Sequence, residues 1–106
     1  DRLLRDPEPS VVKILLGNPR ITESDVVRLA ARRPTTGPLQ RLILTSRFIT
    51  RYQVKRALVF NPYTPSDLAA RIVPTLTHPD LAEVANDAGL PSPVRDTARE
   101  LLVVRS

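Results

Sequence analysis

The sequence predicts an all-α chain of about seven short helices, and three observations carry that expectation. Apolar residues recur at spacings of three and four rather than two, as in Val26, Val27, Ala30 and Ala31 or Leu68, Ala69, Ile72 and Val73; this puts one apolar stripe on a helix. Prolines and hydroxyl residues punctuate the chain at short, regular intervals. No alternating strand pattern and no Asn-Gly hairpin turn interrupts them.

Each element follows from its own chemistry. The expected helices are 9–17, 23–33, 37–45, 50–60, 65–74, 79–88 and 93–104. Thr22-Glu23-Ser24-Asp25 and Thr64-Pro65-Ser66-Asp67 are capping-box variants with Asp in the acid position, so helices should start there on a hydroxyl that accepts from the free N–H groups of the first turn. Pro65 suits a first turn, where its missing N–H would have been unpaired. Thr77-His78-Pro79-Asp80 and Ser92-Pro93 read as further starts. Pro19, Pro34, Pro62 and Pro91 disfavour helix at the preceding residue and mark ends, and Pro74 is placed to end the fifth helix early. Gly17 and Gly89 fall at helix ends, where a left-handed cap would use the absence of a Cβ.

The chain also repeats. Val11 to Pro19 reads VVKILLGNP, and 43 residues later Val54 to Pro62 reads VKRALVFNP. After one deletion the match continues at an offset of 42, with Thr22 on Thr64, Asp25 on Asp67, Val26 on Leu68, Ala30 on Ile72, Leu39 on Leu81 and Leu42 on Val84. A period near 42 is the length of HEAT or armadillo units, whose helices bury their apolar faces only by stacking on neighbours. The expectation is one domain with units at about 9–48 and 49–90 and a partial unit at 91–106. Lacking an initiator Met, the chain is expected to belong to a longer protein.

A Val-Lys/Arg helix running into Asn-Pro, then Thr-Pro or Ile-Thr, then a Leu/Val-rich helix resembles bacterial leucine-rich-repeat-variant and HEAT-like α-helical repeats. The pattern rests on Val54-Lys55-Arg56-Ala57-Leu58, Asn61-Pro62-Tyr63-Thr64-Pro65 and Leu68, on the copy Val12-Lys13, Asn18-Pro19 and Thr22, and on the echo Pro93-Val94-Arg95. The resemblance implies a right-handed α-solenoid, usually a protein-binding scaffold and sometimes a nucleic-acid binder. The unit is longer here than the variant family's, and Gly37-Pro38 interrupts where that pattern would continue.

Composition excludes several classes. Without cysteine there is no disulfide, thiolate zinc site, iron-sulfur cluster or cysteine nucleophile, which fits a reducing cytoplasm. The longest apolar runs, such as Leu101 to Val104, fall far short of a membrane span of roughly 20 residues. The glycines Gly17, Gly37 and Gly89 form no phosphate-binding loop. His78 is the only histidine and reads as a solvated first-turn residue; a triad would need Ser66 or Ser92 and Asp80 converging on it. Asp80, Glu83 and Asp87 share a helix face and read as solvated. The expectation is a protein that is not an enzyme and holds no metal or cofactor.

Charge placement is the remaining signal. Between Val26 and Ser66 lie Arg28, Arg32, Arg33, Arg41, Arg47, Arg51, Lys55 and Arg56 with no Asp or Glu among them, so this stretch carries +8 in a chain of net +5. Like charges without local partners build a positive surface, and arginine's planar fork grips carboxylate or phosphate through two bonds. These eight residues are the candidate partner-binding surface; the alternative is a wet face whose arginine stems cover apolar surface. Phe48, Tyr52, Phe60 and Tyr63 lie in or beside the stretch. Phe48 and Phe60 are expected in the core, whereas exposed tyrosines could stack on bases. Three partners are in view: an acidic protein first, sequence-nonspecific DNA or RNA second, a small anionic ligand third. Self-association is open to any repeat segment with bare ends.

Overall fold

In a computed structural model the described residues, 9–105, are all-helical. The helices are α1 (Pro9–Gly17), α2 (Glu23–Ala31), α3 (Gly37–Leu44), α4 (Tyr52–Phe60), α5 (Ser66–Ile72), α6 (His78–Ala85) and α7 (Ser92–Arg105). Short 3-10 turns at Arg47–Thr50 and Val73–Thr75 lead into α4 and out of α5. Pro74 lies in the second of these turns and closes α5 at Ile72. None of these helices is long and apolar enough to cross a membrane.

Helices of two to four turns cannot each bury a core, so stability comes from stacking. Contacts between next-but-one helices recur along the chain, α1 on α3, α2 on α4, α4 on α6 and α5 on α7, and α4 also meets α5. The most extensive helix contact is between α6 and α7, which are sequential neighbours. Next-but-one partners run parallel. Arg51, just before α4, meets Glu23 at the start of α2, while Asn61 after α4 reaches the carbonyls of Ala30 and Arg32 at the end of α2. Helices start at 9, 23, 37, 52, 66, 78 and 92, so parallel partners recur every 26 to 29 residues. The 43-residue sequence offset instead spans three helices. It matches like helix ends, whereas packing is set by which parallel neighbour an apolar stripe meets.

One continuous core runs through the molecule, from Val12 and Leu16 through Val26, Ile43, Val54 and Leu58 to Leu81, Val84, Val94 and Ala98. The body measures 42 × 23 × 19 Å.

Helix ends depart from two expectations. Thr22 makes the capping box, its Oγ1 accepting from Asp25 N–H while the Asp25 carboxylate accepts from Thr22 N–H. Its sequence counterpart Thr64 does not cap α5: it is buried, accepting from Gln40 Nε2 at 2.8 Å, and Pro65 stands at the cap position without a side-chain bond. Neither Gly17 nor Gly89 adopts a left-handed conformation. The chain leaves α1, α4 and α6 through the same side-chain turn, in which Asn18, Asn61 and Asp87 accept from the N–H two residues on, at 2.9, 3.0 and 2.9 Å. A Cβ at Gly89 would lie 3.2 Å from the Asp87 carboxylate, which would have to give by a few tenths of an ångström.

Candidate interaction surface

The central arginines do not stand as an unpaired field. Acids from the flanking sequence reach them: Asp25 pairs with Arg28 at 3.4 Å, Glu23 with Arg51 at 3.6 Å, Asp67 with Arg41 at 3.9 Å. Asp80 and Glu83 both pair with Arg56, at 3.1 and 3.2 Å. Only the first of these, between residues three apart on α2, is written in the local sequence.

The eight basic residues separate into two groups. Three serve the fold. Arg47 reaches back to α1, donating to the carbonyls of Leu16 and Asn18, and its guanidinium lies 4.6 Å over the Phe48 ring. Arg33 donates to the Phe60 carbonyl at 2.7 Å. Arg56 lies over Phe60 at 4.5 Å and bridges α4 to α6. A helix leaves its last carbonyls unpaired and slightly negative, so a guanidinium satisfies both the hydrogen bonds and the dipole there. Outside the basic stretch, Arg99 does the same for Ala85, and Arg105 for Pro74 and Leu76.

Of the other five, three face outward. Side chains of Arg28, Arg41 and Arg51 are 68, 56 and 65% exposed, and their long ion pairs are of the kind that contributes little. Lys55 is half-buried one turn after Arg51 on α4, and Arg32 is half-buried just beyond α2. A cleft of about 310 Å³ opens between α2 and α4, lined by Glu23, Ser24, Val27, Arg28 and Gln53. Arg51 is tied to it through Glu23. Of the eight basic residues Arg28 lines this cleft and Arg51 pairs with Glu23 of its lining, while Arg33, Arg47 and Arg56 are engaged elsewhere. Sequence spacing gave no signal for the polar lining, Ser24 and Gln53, or for the intruding acids.

The acidic face of α6 is also not simply solvated. Asp80 accepts from the Tyr52 hydroxyl and the Arg56 guanidinium, while Thr77 N–H donates to the Tyr52 oxygen. Burial pushes the Asp80 carboxyl up, but the bonds from Tyr52 and Arg56 outweigh it and hold it below the ordinary range. Asp25 is lowered by the backbone and side-chain bonds from Thr22. His78 is exposed, and no group of His, Cys, Asp and Glu among the described residues could hold a metal ion.

Of the aromatics, Phe48 is in the core, Phe60 packs against it under Arg56, Tyr52 is locked to Asp80, and Tyr63 is half exposed. Comparison with protein-family models, curated proteins and solved structures finds no match to this chain.

Proposed function

We propose that this chain is a segment of an α-solenoid, HEAT-like in kind, that acts as a non-catalytic scaffold and binds an acidic protein partner along the groove between α2 and α4. The observation that carries the reading is Arg28 in the lining of this groove with Arg51 paired to Glu23 of the same lining, both arginines mostly exposed and held by long, weak ion pairs. A partner carboxylate can replace Glu23 or Asp25 there at little cost, because exposed pairs contribute less than about 1 kcal/mol. Lys55 adds charge one turn on. Parallel next-but-one packing of short helices supports the solenoid part of the reading, since repeats built this way present long grooves to partners.

An acidic protein is favoured over single-stranded nucleic acid by the aromatics. Base stacking needs free ring faces, and Phe48 and Phe60 each have an arginine over the ring while Tyr52 is tied through its hydroxyl to Asp80, which leaves Tyr63 as the exposed ring. The test is the binding of a fluorescent polyglutamate peptide and of a random-sequence oligonucleotide, each at roughly 50 and 200 mM salt. Peptide binding that weakens with salt and disappears in Arg28→Glu/Arg51→Glu supports the proposal. Absence of peptide binding at low salt sinks it, and oligonucleotide binding abolished by the same double variant transfers the groove to nucleic acid.

A further inference from the structure

We propose that this chain associates head to tail with a second copy of itself, the outer stripe of α7 seating in the cleft between α1 and α3. The observations lie on two faces that share no residue with the lining of the α2–α4 groove. On α7, residues 96, 100, 103 and 104 fall at i, i+4, i+7 and i+8 and share one side of the helix, opposite the buried Val94 and Ala98. That side reads Asp96, Glu100, Val103, Val104. The two valines are 76 and 80% exposed, and Glu100 is exposed. The arginines of α7 do not neutralise this stripe evenly. Arg99 is shared between Asp96 and the Ala85 carbonyl, and Arg105 turns back to the carbonyls of Pro74 and Leu76. Glu100 has no ion pair among the described residues.

The complementary surface is a cleft of about 260 Å³ with Leu16 and Leu42 as its apolar lining and Lys13 and Arg47 as its charges. Neither α1 nor α3 carries an acid, and Lys13 has no ion pair among the described residues. Ile14 extends the apolar surface beside Lys13 and is 75% exposed. Two valines following an acid by three and four residues therefore match two leucines beside two cations. Apolar contact supplies attraction, and Glu100 opposite Lys13 fixes direction. The two faces are different, so the contact is heterologous and each added copy leaves the same pair of faces open for the next.

Sedimentation of the chain over roughly 10 μM to 1 mM, the range in which small interfaces associate, should show a mass that rises with concentration and falls with salt. Val104→Asp, Lys13→Glu and Glu100→Lys are all exposed substitutions that leave the helical circular dichroism in place. Each alone should weaken association by about tenfold or more. Mixing Lys13→Glu with Glu100→Lys should restore it, because each copy then meets an opposite charge. A monomer at every concentration and low salt overturns the proposal. So does association that none of the three variants weakens, or a mixture that stays monomeric when both parents are monomeric.

Discussion

Asn18 and Asn61 occupy equivalent places in the sequence repeat, make the same turn, and carry very different weight. Asn61 is buried, and its Nδ2 donates at 2.8 Å to both Ala30 O and Arg32 O, so it closes the carboxyl end of α2 from a distance of about thirty residues. The Asn18 side chain is exposed and makes only its local turn bond. Removing a buried partner leaves the remaining groups unsatisfied. Asn61→Ala should therefore cost about 2–4 kcal/mol in urea unfolding, and Asn18→Ala about 1 kcal/mol or less. Equal losses at the two sites would show that the carbonyl bonds are dispensable. At Asp80 and Asp25 the folded carboxyls lie below their ordinary value of 3.8. Such groups stabilise the fold above that pH, and their contribution is lost as the pH falls below about 4 through the folded values. Thermal midpoints should fall with acid in this window. Tyr52→Phe removes a bond that favours the Asp80 carboxylate and should flatten the fall; an unchanged acid profile would show that Tyr52 does not hold this carboxylate charged.

At the level of elements, the starts of α2 and α5 look alike in sequence and are built differently. The Thr22 capping box satisfies N–H groups at the start of α2, so Thr22→Ala should lower stability by about 1 kcal/mol. Thr64 acts across elements, taking a bond from Gln40, whose Nε2 also donates to Ala30 O. Thr64→Val keeps the shape and removes the acceptor, and the melting loss should be relieved by pairing it with Gln40→Leu, as a double-mutant cycle would measure. Additive losses would mean that the two side chains act separately. Gly37 shows the same junction from the backbone side, since a Cβ there would come 3.3 Å from the Pro65 ring. The Gly37-Pro38 interruption thus admits the Pro65 turn alongside α3.

For the molecule as a whole, the arginines divide into those that hold helix ends together and those that stand exposed in weak ion pairs, and the division is measurable. Arg56→Met would leave Asp80, whose side chain is only 14% exposed, without its cation, a loss of about 1–3 kcal/mol. Arg28→Glu/Arg51→Glu alters exposed, weakly held charges and should change stability by about 1 kcal/mol at most while abolishing peptide binding. If the groove variant unfolds the chain instead, those residues belong to the fold.

Much of this architecture was legible before any coordinates. Helix periodicity, prolines at helix ends and the Thr22 cap are local, fixed within a few residues by sterics and hydrogen bonding, and they determined seven short helices with starts close to those observed. The Asn-Pro match at 43 residues marked a recurring turn for the same reason. Tertiary structure alone decided the parallel next-but-one packing, the inward turn of Thr64, and the fate of the charges. The central stretch reads as +8 along the chain, yet Glu23, Asp67, Asp80 and Glu83 return to it from residues up to twenty-eight positions away. Charge interactions depend on distance in space and not on order in the chain. A run of basic residues therefore fixes composition, and only the stacking of the helices determines which of them meets an acid, which closes a helix end, and which faces a groove.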